Sequence, residues 1–168
     1  MHGAENVALF PEADDDKNVR QNYADENTKA NEYLFRRVDL EDVVSAHVLA
    51  AKHAHRIGFG RYIVSATTAF LPEDMPKVRS NASMVVLRRV PNFAAEYERR
   101  GWKMVPTIDR VYVNERARTE LNWRPRYDFH YIVERLIAGE NTQSRLARLV
   151  GSKGYHAEKF AEGPYPVE

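Results

Sequence analysis

Few stretches of this chain combine side chains at spacings that chemistry could use. Asp14, Asp15 and Asp16 form an acidic run. Three adjacent carboxylates do not converge on one cation, because a loop that wraps an ion alternates its ligands; a solvated turn and helix start is the better reading. His53 and His55 lie two apart in a helical stretch. At 3.6 residues per turn they point roughly 200° apart around the axis and cannot share a metal. Thr67 and Thr68 follow Tyr62, Ile63 and Val64, an apolar triple typical of a strand buried on both faces. Open α/β sheets bind ligands at the carboxyl ends of their strands, so this threonine pair is a candidate pocket lining. No glycine cluster follows a strand near the start of the chain, so the backbone cradle that holds a pyrophosphate is missing. Nor is there a nucleophile elbow or a ligand cluster, which sets hydrolase and metalloenzyme chemistry aside.

The composition bounds the remaining choices. A chain of 168 residues suits one domain with a real core, and 43% hydrophobic with 29% charged residues is ordinary for a globular protein. A net charge of +1 argues against nucleic acid as a partner, since polyanion binders carry a marked basic excess. The absence of cysteine excludes disulfides and thiolate metal sites. No apolar run reaches membrane-spanning length and the amino terminus lacks a signal peptide's apolar core, so the expectation is no membrane and a cytoplasmic location.

The elements that must position any site alternate between helix and strand patterns. Residues 17–34 read as a polar helical stretch with Val19, Tyr23, Ala30, Tyr33 and Leu34 on one side, and residues 35–39 as a short strand. Asp39 or Asp42 can cap the next helix. Val43, Val44, Ala46, Val48, Leu49, Ala50, Ala51 and Ala54 cover most of that helix, leaving only Ser45, Lys52 and Arg56 to water, so it should be sandwiched against a sheet. Residues 61–65 read as a buried strand, residues 71–90 as two short helices, and Phe93 with Tyr97 as one face of a helix ended by Gly101. Trp102, Met104 and Val105 alternate with charge as a strand does. Asp128 caps a helix in which Phe129, Ile132, Val133, Leu136 and Ile137 recur at helical spacing. Beyond residue 141 lies a tail with a weak helical stretch at 145–150.

The organising stretch is residues 111–125, VYVNERARTELNWRP. Asn114 can cap a short helix, Ala117 and Leu121 face one way, Asn122 can terminate in the left-handed conformation, and Pro125 prevents resumption. This stretch resembles the C-terminal region of the NAD-dependent epimerase/dehydratase family of extended short-chain dehydrogenases, which includes UDP-glucose 4-epimerase. Residues 36–51, RRVDLEDVVSAHVLAA, are similar to that family's strand, turn and alanine-rich helix, and the two segments occur in the family's order. The likeness covers roughly residues 10–139.

The resemblance implies an α/β fold: the C-terminal part of an extended Rossmann-type fold, mostly helical with a few short strands, lacking the N-terminal dinucleotide-binding half. Residues 1–140 would be the substrate-binding region, with 40–66 completing the Rossmann sheet, and 141–168 a C-terminal tail. It further implies a nucleotide-sugar or related carbohydrate substrate, with Asn27, Lys29, Asn31, Thr67 and Thr68 as polar contacts. Phe35 occupies the place of a phosphate-contacting arginine, with Arg36 and Arg37 beside it; Lys103 and Arg110 fall near a second phosphate-binding position. The family's Asp ahead of the capping segment is Val113 here. Tyr155 and Lys159, with Ser144 and Ser152 upstream, show the family's Tyr-x-x-x-Lys spacing, but in a tail rich in Gly and Pro, where it reads as coincidence. No cofactor would therefore be bound by this chain alone; NAD belongs to the intact family enzyme. The partner would be a second copy or a separate N-terminal half, and the alternative is a non-catalytic ligand-binding or protein-interaction module.

Overall fold

A computed structural model describes residues 17–151. They are mostly helical: α1 (Lys17–Asn22), α2 (Asp25–Glu32), α3 (Leu40–Ile57), α4 (Met75–Arg89), α5 (Phe93–Arg100), α6 (Glu115–Glu120), α7 (Phe129–Ile137) and α8 (Arg145–Val150), with a 3-10 turn, Pro72–Asp74, leading into α4.

The few short strands expected from the sequence do not form among the described residues. Segments 35–39 and 61–65 belong to a region joined by isolated bonds. Ala66 N–H donates to Arg37 C=O at 2.8 Å, and Tyr112 N–H to Phe35 C=O at 2.8 Å. A ladder needs successive bonds along two neighbouring segments, and one bond per pair does not make one. The third expected strand, 102–105, is held by side chains. Asn27 accepts Lys103 N–H through Oδ1 and donates to Lys103 C=O through Nδ2, both at 2.9 Å, so one carboxamide stands in for a strand's peptide. Asn31 donates to the same carbonyl at 2.9 Å.

The larger core is built by α2, α4, α5 and α7. Val78 is buried ahead of a kink in α4, and beyond it Ala82, Val85 and Val86 recur at i, i+3 and i+4, the stripe that buries one helix face. Phe129, Ile132, Val133 and Leu136 do the same on α7, as their spacing predicts, while Ile137 stays exposed. Phe93 and Tyr97 meet edge to face with ring centroids 5.0 Å apart. The two short helices expected over 71–90 are present within α4, meeting at a kink at Asn81 (φ −156°, ψ 76°), whose Oδ1 accepts Met84 N–H at 3.1 Å. The break frees backbone groups that segment 106–108 uses: Ala82 N–H donates to Pro106 C=O at 2.8 Å and Ile108 N–H to Val78 C=O at 3.1 Å.

A smaller core gathers Ala46 of α3 with Ala117, Leu121 and Trp123. The α6 helix stops at Glu120 with Leu121 as its C-cap, and Asn122 takes the left-handed backbone (φ 52°) anticipated for it. Trp123 is fully buried, and its Nε1–H donates to Ser45 Oγ at 2.9 Å; Ser45 in turn donates to Asp42 C=O at 2.7 Å. Ser45 is therefore an anchor rather than part of a wet line. The Asp42 carboxylate accepts Arg126 N–H at 2.9 and 3.0 Å and Tyr127 N–H at 2.9 Å. Asp39 caps α3 by accepting Glu41 N–H at 2.8 Å, and its other oxygen accepts Ser144 N–H at 3.0 Å. Ser144 Oγ caps α8, which packs on α3, so the expected tail is part of the fold as far as Gly151. The sandwiching expected of α3 is not seen among the described residues: Val44 and Val48, one turn apart, are 44% and 47% exposed. No described helix is long and apolar enough to cross a membrane.

Candidate functional site

The residues proposed from sequence separate into framework, surface and cavity positions. Asn27 and Asn31 are buried and committed to the Lys103 backbone, and Asn31 Oδ1 also accepts the Tyr97 hydroxyl at 3.0 Å. Both carboxamides position the segment at Lys103, a framework role beside the substrate contact expected of them. Arg36 and Arg37 both pair with the buried Glu32, Arg37 at 2.6 Å. A carboxylate that deep requires compensation, and the two guanidinium groups supply it. Lys103 and Arg110 are exposed and line neither of the two cavities described below. Asp14, Asp15, Asp16, Ser152, Tyr155 and Lys159 lie outside the described residues.

One cavity, of about 500 Å³, opens between α2, the start of α3, the end of α7 and loop 139–143. Lys29 and Arg37 meet there, beside Asp25, Tyr33, Asp39 and Arg100. Its cations are already engaged: Lys29 with Asp25 at 2.5 Å, Arg37 with Glu32, and Arg100 with Glu96 at 2.5 Å. Burial, reinforced by the charge of Asp39, pushes the Tyr33 phenol well above its ordinary range, so it stays protonated. The basic side chains of this lining are thus each held in an ion pair, beside a neutral phenol.

The second cavity, of about 690 Å³, is the one that Thr67 and Thr68 line. Two elements put them there. Thr68 Oγ1–H donates to Leu34 C=O at 2.7 Å, tying the segment to the end of α2. Asn114, buried just before α6, donates through Nδ2 to Ser65 C=O at 2.8 Å and to Thr67 Oγ1 at 3.1 Å. Its side chain makes no cap bond to α6, so the capping role read from the sequence gives way to this cross-link. Thr67 thus accepts a bond, which leaves its hydroxyl proton to donate. Phe70, Leu71, Pro72, Met75, Val111 and Val113 supply apolar walls, and Arg118 and Arg124 add positive charge. A cavity of this size with apolar walls and a few convergent polar groups has the general form of a small-molecule site.

Arg118 and Arg124 were not singled out by sequence reasoning. Arg118 directly follows the core residue Ala117 and Arg124 directly follows the buried Trp123. That adjacency fixes where the two backbones lie, but the direction of the side chains depends on the turn at Asn122. Among the described residues no group of three or more His, Asp or Glu is arranged to hold a metal. No protein-family model, curated protein or solved structure matches the chain.

Proposed function

We propose that this chain is the substrate-recognition half of an NAD-dependent nucleotide-sugar epimerase or dehydratase, built on part of a Rossmann-type fold. It is not catalytic by itself, and NAD and the catalytic tyrosine come from a separate half. The observation that carries this reading is the cavity of about 690 Å³ in which Thr67, Thr68 and two arginines meet apolar walls, a lining suited to a ligand that is part polar, part charged and part flat. The two segments that carry the family resemblance also pack on each other, through Trp123 on Ser45, and Asp42 holds the residues that directly follow the second, Arg126 and Tyr127, as parts of one inherited unit would. Titration of the full chain with UDP- and dTDP-sugars tests the proposal. Saturable binding on the order of micromolar is the expected result, and silence from every nucleotide-sugar would overturn it.

A second reading has its own observation. Val44 and Val48 on α3, with Ile63 46% exposed between the inward Tyr62 and Val64, leave apolar surface uncovered. A non-catalytic interaction module that pairs with a second copy or with a separately encoded N-terminal half would use such a face. Sedimentation of the wild type and of Val48→Lys separates the readings: association abolished by the lysine favours the module, and a strict monomer in both counts against it.

A further inference from the structure

We infer that Arg118 and Arg124 form a phosphate-binding pair at the cavity lined by Thr67, and that the ligand there is an organic phosphate whose apolar part packs on Phe70 and Val111. This rests on the preceding reading only for the location of the ligand, not for its sugar. The arginines that line the other described cavity are committed: Arg37 to Glu32, and Arg100 to Glu96 and to Leu136 C=O at 3.1 Å. Arg118 is half-buried, yet among the described residues its guanidinium meets no carboxylate within ion-pair distance. Removing a cation partly from water without an acid beside it is unfavourable, and an incoming anion would compensate.

Arg124 is pre-set for the same task. Its Nη1 donates to Arg118 C=O at 2.9 Å and to Trp123 C=O at 2.8 Å. Those two bonds pin the guanidinium to the turn that ends α6 and leave Nε and Nη2 for a ligand. A planar fork held in this way matches the oxygens of a phosphate and gives up little further freedom on binding. Thr67 adds a hydroxyl donor, because its oxygen already accepts from Asn114. Glu115 lines the same cavity and opposes an anion, so the lining carries two cations against one carboxylate. That excess of one favours an anion over a neutral ligand.

Isothermal titration of the full chain tests the assignment with inorganic pyrophosphate, UDP, UDP-glucose and succinate, for the wild type and for Arg118→Gln, Arg124→Gln and Glu115→Gln. Pyrophosphate and UDP should bind the wild type, and each arginine substitution should weaken them roughly tenfold, the cost of one charge-assisted bond. Glu115→Gln should tighten them about twofold to threefold, as loss of an exposed opposing charge does. Arg118→Gln removes no hydrogen bond in the described structure, so an unchanged melting curve separates its effect from misfolding. Equal affinities in wild type and arginine variants would overturn the pair while leaving a nucleotide-sugar ligand standing. Arginine-dependent binding of pyrophosphate with no gain from the sugar nucleotide would uphold the pair and overturn the nucleotide-sugar reading. Succinate binding as tightly as pyrophosphate would overturn the phosphate class, and no binding of any probe would overturn both.

Discussion

The Asp42 carboxylate accepts the backbone N–H of Tyr127 at 2.9 Å across 85 residues of sequence, and the side chain that makes this bond is 4% exposed. Burial pushes the Asp42 carboxyl up to about 6 from an ordinary 3.8, against the pull of the Tyr127 and Arg126 N–H groups. The folded state therefore holds this proton more tightly than the unfolded chain does. Stability from this group is complete below about pH 3.8 and is lost as pH rises through about 6. The ceiling is roughly 3 kcal/mol, taking about 1.4 kcal/mol per pH decade. Denaturant unfolding of wild type and Asp42→Asn between pH 4 and pH 7 should show the wild type losing ground to the variant as pH rises. A constant difference across that range would refute the assignment.

Glu96 behaves in the opposite sense. Hydrogen bonds from Arg99 first, and then Arg100, hold its carboxyl down at about 2 from an ordinary 4.5. The stability it contributes is present above about pH 4.5 and disappears as pH falls through about 2. Melting temperatures of Glu96→Gln should lie below those of the wild type at pH 7 and converge with them in acid; Arg99 is well exposed, so solvent screening keeps the gap modest.

Trp123 is the anchor of the smaller core. Trp123→Phe keeps most of the ring but leaves Ser45 without its donor, and should cost about 1 kcal/mol. Trp123→Ala also opens a cavity against Ala46, Ala117 and Leu121 and should cost about 3–5 kcal/mol. Chemical denaturation monitored by far-ultraviolet circular dichroism reads both. Equal losses would mean that the ring contributes nothing beyond its N–H.

Asn27 distinguishes a framework residue from a ligand contact. Asn27→Ala strands the N–H of Lys103 and leaves its C=O with the Asn31 bond alone, which should lower stability by about 1–3 kcal/mol while leaving nucleotide-sugar affinity unchanged. A fall in affinity at unchanged stability would restore the substrate contact read from the sequence.

Much of the local structure was legible because it rests on one-dimensional signals. The cap at Asp128, the stripe on α7, the left-handed Asn122 and the helix at 145–150 each follow from residue type and spacing. The strands were misread because a continuous apolar triple such as Tyr62–Ile63–Val64 says only that the segment avoids water on both sides. Whether a backbone ladder forms depends on neighbours that a local pattern does not contain. The framework roles of the polar residues were hidden for a related reason. Asn27, Asn31 and Ser45 look solvent-seeking in sequence, and only the tertiary arrangement shows that their partners are Lys103 and Trp123, more than seventy positions away. Of the site, Thr67 and Thr68 were found from their place after an apolar triple, and both line the larger cavity. Arg118 and Arg124 were hidden in a stretch whose spacing speaks only of packing.

The clasp between α3 and residues 123–127 also sets the kinetics. Its bonds join positions 78 and 85 apart, so most of the intervening chain must be brought to order before the clasp can close, and the entropy of that closure precedes any gain. Refolding should be slow for so helical a protein, and α3 should not peel away by itself. Amide hydrogens in α3 and at Arg126 and Tyr127 should exchange at matching rates, opening together in a single cooperative step.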